Sequence, residues 1–290
     1  MKNKRKVNST GVGLGLHARR ILAYVVLIIV SFFCLFWFYV LFVNATRSNS
    51  NLQSGFSVLP SSNLLSNWKH LLEKSGLPVI QGMLNSLIIS TCSAVVCVYF
   101  STITVYAIHV YDFTSKKFIY AFILAVMMIP TQVTALGFVN LVSDMNLEDS
   151  FIPLIIPQIA VPITFFYMKQ YMESSLPLSL VEAARIDGSG EFRTFNHIVL
   201  PLMKPAIAVQ AIFTFVSSWN NYFIPALILH DDSKKTLPIL IAQLRAADWL
   251  KFDMGQVYIM IAFSIFPVIV VYLILSKHIV QGVALGSVKG

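Results

Sequence analysis

A charged, amphipathic segment lies between two apolar runs, "SLVEAARIDGSGEFRTFNHIVLPLMKP", residues 179–205. Carboxylates and guanidinium groups such as Glu182 and Arg185 form strong, directional hydrogen bonds with oppositely charged groups. This chemistry suits recognition of another protein. Catalysis is not indicated, because the sequence contains no G-x-x-x-x-G-K-S/T phosphate loop, no G-x-S-x-G nucleophile elbow and no H-E-x-x-H metal-binding pair. The six His residues are dispersed and form no ligand pair at a useful spacing.

The local pattern of this segment predicts two short helices joined by a turn. Ser179 and Glu182 have the S-x-x-E spacing of a capping box, and Gly188 can end the first helix in a left-handed turn. A second helix is predicted to end at Leu200 and Pro201, because proline disrupts a helix interior. Its apolar stripe comprises Phe192, Phe195, Ile198, Val199 and Leu202. The segment is either a solvated loop packed on the rest of the chain or a docking element for a soluble partner.

The segments that must position this region are long and apolar. Hydrophobic residues make up 57% of the 290 residues and charged residues only 12%, a composition typical of a membrane protein. A membrane-spanning helix needs about 20 apolar residues. Six runs meet that requirement, which predicts an all-α, polytopic membrane protein with six transmembrane helices: Ile21–Val43, Met83–Val110, Phe118–Val142, Phe151–Met168, Pro205–Leu229 and Val257–Ser276.

The distribution of Lys and Arg predicts the orientation. If the N-terminus is cytoplasmic, 14 of the 21 basic residues lie in cytoplasmic segments, as the positive-inside rule requires. The first run has 23 residues, which is long for a signal peptide, so we interpret it as a retained anchor. The basic excess therefore needs no nucleic acid to explain it. The predicted segments are a cytoplasmic tail (1–20), a first transmembrane helix (21–43), an extracytoplasmic loop (44–82), a core of five transmembrane helices (83–276) with a cytoplasmic coupling segment (173–204) and an outer loop (230–256), and a cytoplasmic C-terminal tail (277–290).

Small residues and prolines suggest how the spans pack. Small side chains in the second run let helices approach closely: Ser90, Thr91, Ser93, Ala94, Ser101, Thr102 and Thr104. Cys34, Cys92 and Cys97 lie inside apolar runs and are interpreted as packing residues. Prolines at 130, 153, 157, 162, 225 and 267 interrupt the later runs. They indicate either static kinks or a polar route through the bundle.

The charged segment resembles a known signature. "EAARIDGSGEFRTFNHIVLP" is similar to the EAA signature of ABC importer permeases, apart from Ser189, where many members carry Ala. Three further stretches, "SSWNNYFIPAL", "TLPILIAQL" and "QGVALGSVKG", resemble the carbohydrate-uptake branch of that family, specifically the second permease of a maltose-type system. The likeness covers about residues 80–290. The positions matching the signature are Glu182, Ala183, Ala184, Asp187, Gly188, Phe195, Ile198, Leu200, Pro201 and Pro205.

This resemblance implies a type I ABC importer permease fold in a bacterial cytoplasmic membrane, with both termini cytoplasmic. It implies a second, homologous permease as a heterodimer partner, two ATPase subunits and an extracytoplasmic sugar-binding protein. The matching residues from Glu182 to Pro201 would couple to an ATPase, and the tail would contact the ATPase interface: Gly286, Ser287, Val288, Lys289 and Gly290. ATP and Mg would be bound by the partner ATPase, and this chain itself would bind no cofactor and no metal.

A candidate sugar wall lies within the fifth run. Trp219, Asn220, Asn221 and Tyr222 combine amides with aromatic rings, a mixture found in pockets for polar ligands. The alternative is that the amides bond neighbouring helices. The resemblance also implies that the loop at 230–256 reaches into the binding protein.

Three other functions remain open on the sequence alone. An ABC permease for a solute other than a sugar is the nearest. A secondary transporter driven by an ion gradient is disfavoured, because the apolar runs almost lack the ionisable residues that such proteins carry. A membrane scaffold or insertase would explain six spans, but not the charged segment together with the tail.

Overall fold

A computed structural model of the chain describes residues 10–246 and 253–286. The described residues are mostly helical and include no β-strand. They divide into two compact units, one within Met1–His70 and Asp253–Ala262 and the other within Leu71–Phe252 and Phe263–Gly290.

The helices follow one another with short connections. In chain order they are α1 (Thr10–Ala45), α2 (Asn49–Gln53), α3 (Leu64–Glu73), α4 (Val79–Val110), α5 (Lys116–Val126), α6 (Thr131–Asp144), α7 (Ile152–Ile155), a 3₁₀ turn (Ile156–Ala160), α8 (Pro162–Ser175), α9 (Leu178–Ile186), α10 (Glu191–Thr194), a π turn (Phe195–Val199), α11 (Leu200–Leu202), α12 (Lys204–Trp219), α13 (Phe223–Ile228), α14 (Leu237–Arg245) and α15 (Met254–Gly286).

Four helical stretches of the described chain are long and apolar enough to cross a membrane: Arg19–Ala45, Val79–Val110, Ile152–Ser175 and Met254–His278. A fifth exists if the bent pair Glu191–Leu202 and Lys204–Trp219 is one span. The predicted count of six is therefore not confirmed. The predicted third span, Phe118–Val142, is two shorter helices, α5 and α6, because Pro130 lacks an amide donor and disfavours helical backbone in the preceding residue.

Prolines also shape the fourth predicted span, which is divided into α7, the 3₁₀ turn and α8. Pro153, Pro157 and Pro162 each lie at or near the start of one of these three pieces, where a missing amide donor costs least. Pro267, by contrast, lies inside the continuous helix α15. The prediction of interrupted spans is therefore confirmed for the fourth run.

Helix α4 is at the centre of the second unit and contacts α12, α8 and the 3₁₀ turn. Among its small residues, Ser90, Ser93 and Ser101 are fully or almost fully buried, which confirms their predicted packing role, whereas Thr91 and Thr104 are exposed. The packing interpretation also holds for Cys97, whose Sγ lies 3.4 Å from Thr164 Oγ1.

Cys34 and Cys92 differ from Cys97, because both are exposed on the surface of the chain. The prediction that they are packing residues was wrong within this chain. Each lies on an exposed face of its helix. Apolar surface of this kind needs no burial inside the chain when lipid is the surrounding solvent.

Part of the predicted extracytoplasmic loop (44–82) is held by hydrogen bonds within the first unit. Asn67 of α3 donates from Nδ2 to the carbonyls of Ala45 and Arg47, each at 2.9 Å. Gly255 lies against the same amide, and a Cβ there would approach Asn67 Oδ1 to 2.8 Å. The amide thus holds the start of the loop after α1, and glycine is the residue that leaves room for it.

Candidate functional site: the coupling segment

Within the coupling segment, residues 173–204, the first complete helix starts one residue before Ser179. Helix α9 starts at Leu178, with Pro177 in extended backbone at the N-cap and no side-chain cap. The predicted capping box of Ser179 and Glu182 was therefore wrong. The extended backbone of Pro177 immediately precedes the helix. Ser179 therefore lies inside the first turn, where its side chain does not cap the helix.

The turn after α9 confirms the role predicted for Gly188. Its φ is +77°, in the left-handed region, and a Cβ there would meet nothing within 4 Å. Gly188 N donates to Arg185 O at 3.0 Å and Ser189 N donates to Ala184 O at 2.9 Å. These two hydrogen bonds define a Schellman motif, in which glycine avoids the strain that a side chain would suffer.

One face of the segment packs inside the second unit and the other is exposed. Val181, Phe195 and Val199 belong to an apolar cluster with α4, α8 and Met203, and Ala184 is 5% exposed. The opposite face is open, with Ile186 86% exposed. The other exposed members are Glu182, Ala183, Asp187 and Phe192. The two matching alanines therefore have different surroundings, Ala183 facing outward and Ala184 the chain's own core.

The predicted apolar stripe of the second helix is only partly correct. Phe195 and Val199 are buried, but Phe192 is 71% and Leu202 39% exposed. The reason is the π turn over Phe195–Val199, where Leu200 N donates to Phe195 O. A bond to the fifth preceding residue widens the turn and rotates the flanking residues away from an α-helical stripe.

Leu200 and Pro201 do not end this helix, contrary to the prediction. The helical path continues through α11 to Leu202, and an 80° bend then separates it from α12. The π turn explains why Pro201 is tolerated, because the wider turn accommodates a residue without an amide donor. Pro201 is exposed, Leu200 packs against the apolar cluster and Ile198 is half-buried.

A polar cluster ties the turn of the coupling segment to the end of α4. Glu191 accepts hydrogen bonds from Tyr106 Oη at 2.9 Å and from Arg185 Nε at 2.6 Å. The Arg185 guanidinium also lies 5.4 Å from the centre of the Tyr111 ring. We call these four residues, Tyr106, Tyr111, Arg185 and Glu191, the Glu191 clamp.

Electrostatics keep the centre of the clamp ionised. The hydrogen bond from Arg185 is the main reason that the pKa of the Glu191 carboxyl falls to about 2. The carboxylate is therefore charged at every physiological pH. Because both side chains of this ion pair are more than a third exposed, solvent screens it and its contribution to stability is modest.

Aromatic packing completes the attachment. The Phe195 ring lies 5.5 Å from the ring of Tyr106 and 5.7 Å from that of Tyr99, both on α4. Phe195 was predicted from the signature, but Tyr106 and Glu191 were not. Tyr106 lies 85 residues before Glu191, and no local spacing indicates a contact between residues so far apart.

The four candidate residues of the sugar wall do not form one surface. Trp219 is 3% exposed, and its ring stacks on Phe215 at 5.7 Å. Asn220 is exposed. Asn221 lines a polar cavity of about 50 Å³, whereas Tyr222 lines another, of about 370 Å³, together with Gln243 and Lys235. Trp219 therefore serves packing here, and only Asn221 faces the polar cavity.

The predicted ATPase-contacting tail falls mostly outside the described part of the chain. Gly286 is the last residue of α15. Ser287, Val288, Lys289 and Gly290 lie outside the described residues.

Comparison with known proteins gives a family for the chain. Residues 101–285 match the model of the family described as "Binding-protein-dependent transport system inner membrane component". This range contains the whole coupling segment and all four residues of the Glu191 clamp.

Individual relatives agree with that match. The chain is 35% identical to the arabinooligosaccharides transport system permease protein AraQ of Bacillus subtilis over 209 residues, 71% of this chain and 72% of the relative. It is 30% identical to the sn-glycerol-3-phosphate transport system permease protein UgpE of Yersinia pestis over 267 residues, 90% of this chain and 95% of the relative.

A solved structure supports the fold. A chain of a bacterial ABC transporter involved in the import of the acidic polysaccharide alginate aligns with a TM-score of 0.76 at 22% identity, covering 94% of this chain and 99% of that one. At this identity the likeness concerns the fold alone. Together with the coupling segment and its signature, the family match establishes that the chain belongs to the inner membrane permease components of binding-protein-dependent ABC transport systems.

Proposed function

We propose that this permease carries a sugar or oligosaccharide across a bacterial cytoplasmic membrane, forming one half of the translocation path. The support is the relationship to a permease named for arabinooligosaccharides, at 35% identity. A permease for a non-sugar solute is the second candidate, because a relative named for sn-glycerol 3-phosphate aligns over 90% of this chain. An ion-gradient-driven carrier is a weaker proposal, since the family is named for dependence on binding proteins.

The coupling segment is the proposed docking site for one ATPase subunit. The observation that carries this proposal is its exposed apolar tip, where Ile186 is 86% exposed beside the exposed carboxylates of Glu182 and Asp187. An isolated apolar side chain flanked by charges fits a cleft that offers an apolar pocket and cationic partners. Its rigid Schellman turn holds this tip in one conformation, which lowers the entropic cost of docking.

The attachment to α4 and α8 gives this docking a mechanical consequence. Phe195 and the Glu191 clamp fix the tip to α4, so a displacement of the tip moves the helices that pack against it. Hinge and rigid-body motions of this kind convert movement of one subunit into a change of access in another. The segment therefore acts as a lever between ATP hydrolysis and solute movement.

The complete importer is proposed to contain a second permease, two ATPase subunits that bind ATP and Mg, and an extracytoplasmic binding protein. Both termini and the coupling segment are proposed to be cytoplasmic. The basic residues near the span ends support this orientation. The tail at 286–290 is proposed to contact the ATPase interface, and the loop at 230–256 the binding protein.

Two substitutions in the coupling segment test the lever. Glu182→Lys reverses a charge on the exposed face, and Gly188→Val puts a β-branched side chain at φ +77°, where left-handed backbone costs about 1–2 kcal/mol. We expect each to lower ATP-driven solute uptake at least about tenfold while the chain still inserts in the membrane. Uptake and ATP hydrolysis are measured together in membrane vesicles that contain the full importer.

Matched controls separate docking from general damage. Glu148→Lys makes the same charge change at another exposed site, and Gly190→Ala adds a side chain at a glycine with φ −68° and open space around it. Both controls should keep normal uptake. Normal uptake by Glu182→Lys and Gly188→Val as well would rule out the lever. Co-purification of a P-loop ATPase and a second permease with the tagged chain tests the proposed assembly directly.

A further inference from the structure

A polar cavity of about 50 Å³ lies in the second unit, away from the coupling segment, where α4, α12, α13 and the start of α14 meet the 3₁₀ turn. Six of the nine residues that line it carry hydrogen-bonding side chains, and none of the nine is ionisable. The polar members are Ser86, Gln158, Ser217, Ser218, Asn221 and Thr236. The apolar ones are Ile89, Leu154 and Pro225.

The Thr236 hydroxyl is the most unusual group in this lining. Thr236 is 4% exposed, and its Oγ1 is buried without a hydrogen-bond partner among the described residues. It occupies the N-cap of α14, where threonine ordinarily accepts from a backbone amide of the first turn, yet it makes no such bond. The amide of Leu237, the first in α14, donates to Ser86 Oγ at 2.8 Å.

An unpaired buried hydroxyl costs about 1–3 kcal/mol. Thr236 Oγ1 has almost no surface open to water in this conformation, so a ligand in the cavity reaches it after a rotation of the Thr236 side chain. Hydroxyls and carboxamides both donate and accept hydrogen bonds. They therefore complement the hydroxyl groups of a sugar, which do the same. A phosphate or carboxylate would lose its hydration there and find no cation among the lining residues, which is strongly unfavourable.

The backbone around the cavity is consistent with a path for a polar solute. Helix α12 ends at Trp219, α13 begins only at Phe223, and the 3₁₀ turn ends at Ala160. Irregular backbone at membrane depth is tolerated where it is buried in protein or lines a watery cavity. Since one water needs roughly 10–15 Å³, this volume holds a few waters or the edge of a sugar ring, and a larger site needs a second wall outside this chain.

We propose that this cavity is a subsite for the hydroxyl groups of an uncharged sugar, with Thr236 Oγ1 as a direct ligand and Asn221 and Gln158 beside it. The inference rests on the proposed transport function and sharpens it, because it selects neutral sugars over phosphorylated or acidic solutes. Asn221 is the one residue of the predicted sugar wall that belongs to this subsite.

Thr236→Val is the decisive variant, because valine keeps the shape of threonine and removes only the hydroxyl. Since that hydroxyl has no partner among the described residues, a purely structural role predicts an unchanged or slightly raised melting temperature. Thr236→Ser is the matched control that keeps a hydroxyl. The importer is reconstituted in proteoliposomes without its extracytoplasmic binding protein and titrated with radiolabelled arabinotriose and, separately, with radiolabelled sn-glycerol 3-phosphate. ATP-driven uptake is measured in the same preparations after the binding protein is added.

We expect the wild-type importer and Thr236→Ser to bind arabinotriose, and Thr236→Val to bind it at least about fivefold more weakly, the effect of one lost hydrogen bond. Equal binding by all three proteins, or binding by none, would overturn the subsite and leave a cavity that holds only water. Tighter binding of sn-glycerol 3-phosphate that is lost in Thr236→Val would overturn the choice of a neutral ligand. In each case uptake in the same preparations reports separately on the proposed transport function.

Discussion

The coupling segment and the polar cavity differ in how far their polar groups are hydrogen-bonded within the chain. At the base of the coupling segment, Glu191 accepts from both Tyr106 and Arg185, and the Schellman turn satisfies the last carbonyls of α9. In the cavity, Thr236 Oγ1 is buried and unpaired within the described chain. The polar groups at the base of the coupling segment are hydrogen-bonded within the chain, whereas one hydroxyl of the cavity lining has no partner among the described residues.

This difference is consistent with the two tasks proposed for these regions, a lever and a solute path. A lever must transmit displacement, so its attachment needs internal bonds that hold one geometry. A solute path must bind a ligand and release it, so it needs polar groups that are not already committed to the protein. Substitutions that remove internal bonds should therefore affect stability in the coupling segment, whereas in the cavity their effect should depend on whether the group removed has a partner.

The largest effect is expected where the coupling segment enters the core. Phe195 is 1% exposed and contacts Tyr99 and Tyr106, so Phe195→Ala should cost about 3–5 kcal/mol of folding free energy through a cavity and lost contacts. Phe192→Ala, only three residues away but 71% exposed, is the control and should leave the melting temperature nearly unchanged. Similar melting temperatures for the two variants in detergent would contradict the two-sided description of this segment.

An intermediate effect is expected on α4, where two buried serines one turn apart differ in their partners, Ser86 in the cavity lining and Ser90 outside it. Ser86 Oγ accepts from the buried amide of Leu237, so Ser86→Ala leaves that amide unsatisfied and should cost about 1–3 kcal/mol. Ser90 Oγ is buried without a partner among the described residues, and Ser90→Ala should be neutral or slightly stabilising. Thermal unfolding of the two variants measures the difference, and a larger loss for Ser90→Ala would reverse the comparison.

The smallest effect is expected at the Glu191 clamp, because its ion pair is screened by solvent. Tyr106→Phe should cost about 0.5–1.5 kcal/mol, the usual net contribution of a single hydrogen bond, and Glu191→Ala, which also removes the solvent-screened bond from Arg185, slightly more. In a double-mutant cycle the two losses should not add fully, since both variants remove the hydrogen bond between Tyr106 and Glu191. Fully additive losses in melting temperature would show that Tyr106 and Glu191 act independently.

Several features of the coupling segment could be predicted from its sequence because they depend on local chemistry. The left-handed turn follows from Gly188, since few other residues adopt a positive φ without strain. The break in the third apolar run has the same kind of local cause, Pro130, although the run was predicted to be one span with a kink. Local spacing also led to errors, because the S-x-x-E pattern predicted a cap at Ser179, whereas the helix starts at Leu178 with Pro177 at the N-cap.

Other features could not be predicted, because they depend on contacts between distant parts of the chain. The π turn rotates Phe192 outward while Phe195 remains buried, and a stripe drawn with α-helical periodicity cannot anticipate that rotation. The Glu191 clamp joins residues 85 positions apart. The polar cavity brings Ser86 and Thr236 together across 150 positions of sequence. Thr236 begins the stretch "TLPILIAQL", but nothing in that stretch indicates a contact with α4.

The amino-acid sequence by itself determined that the chain is a helical membrane protein with a charged coupling segment of the ABC permease type, because hydropathy, glycine conformation and short signatures are local properties. Only the tertiary structure decided which side chains of that segment are free to dock, which residues anchor it to α4 and where polar groups remain unpaired. Those outcomes depend on which distant groups satisfy one another's hydrogen bonds, and that is settled only when the helices pack.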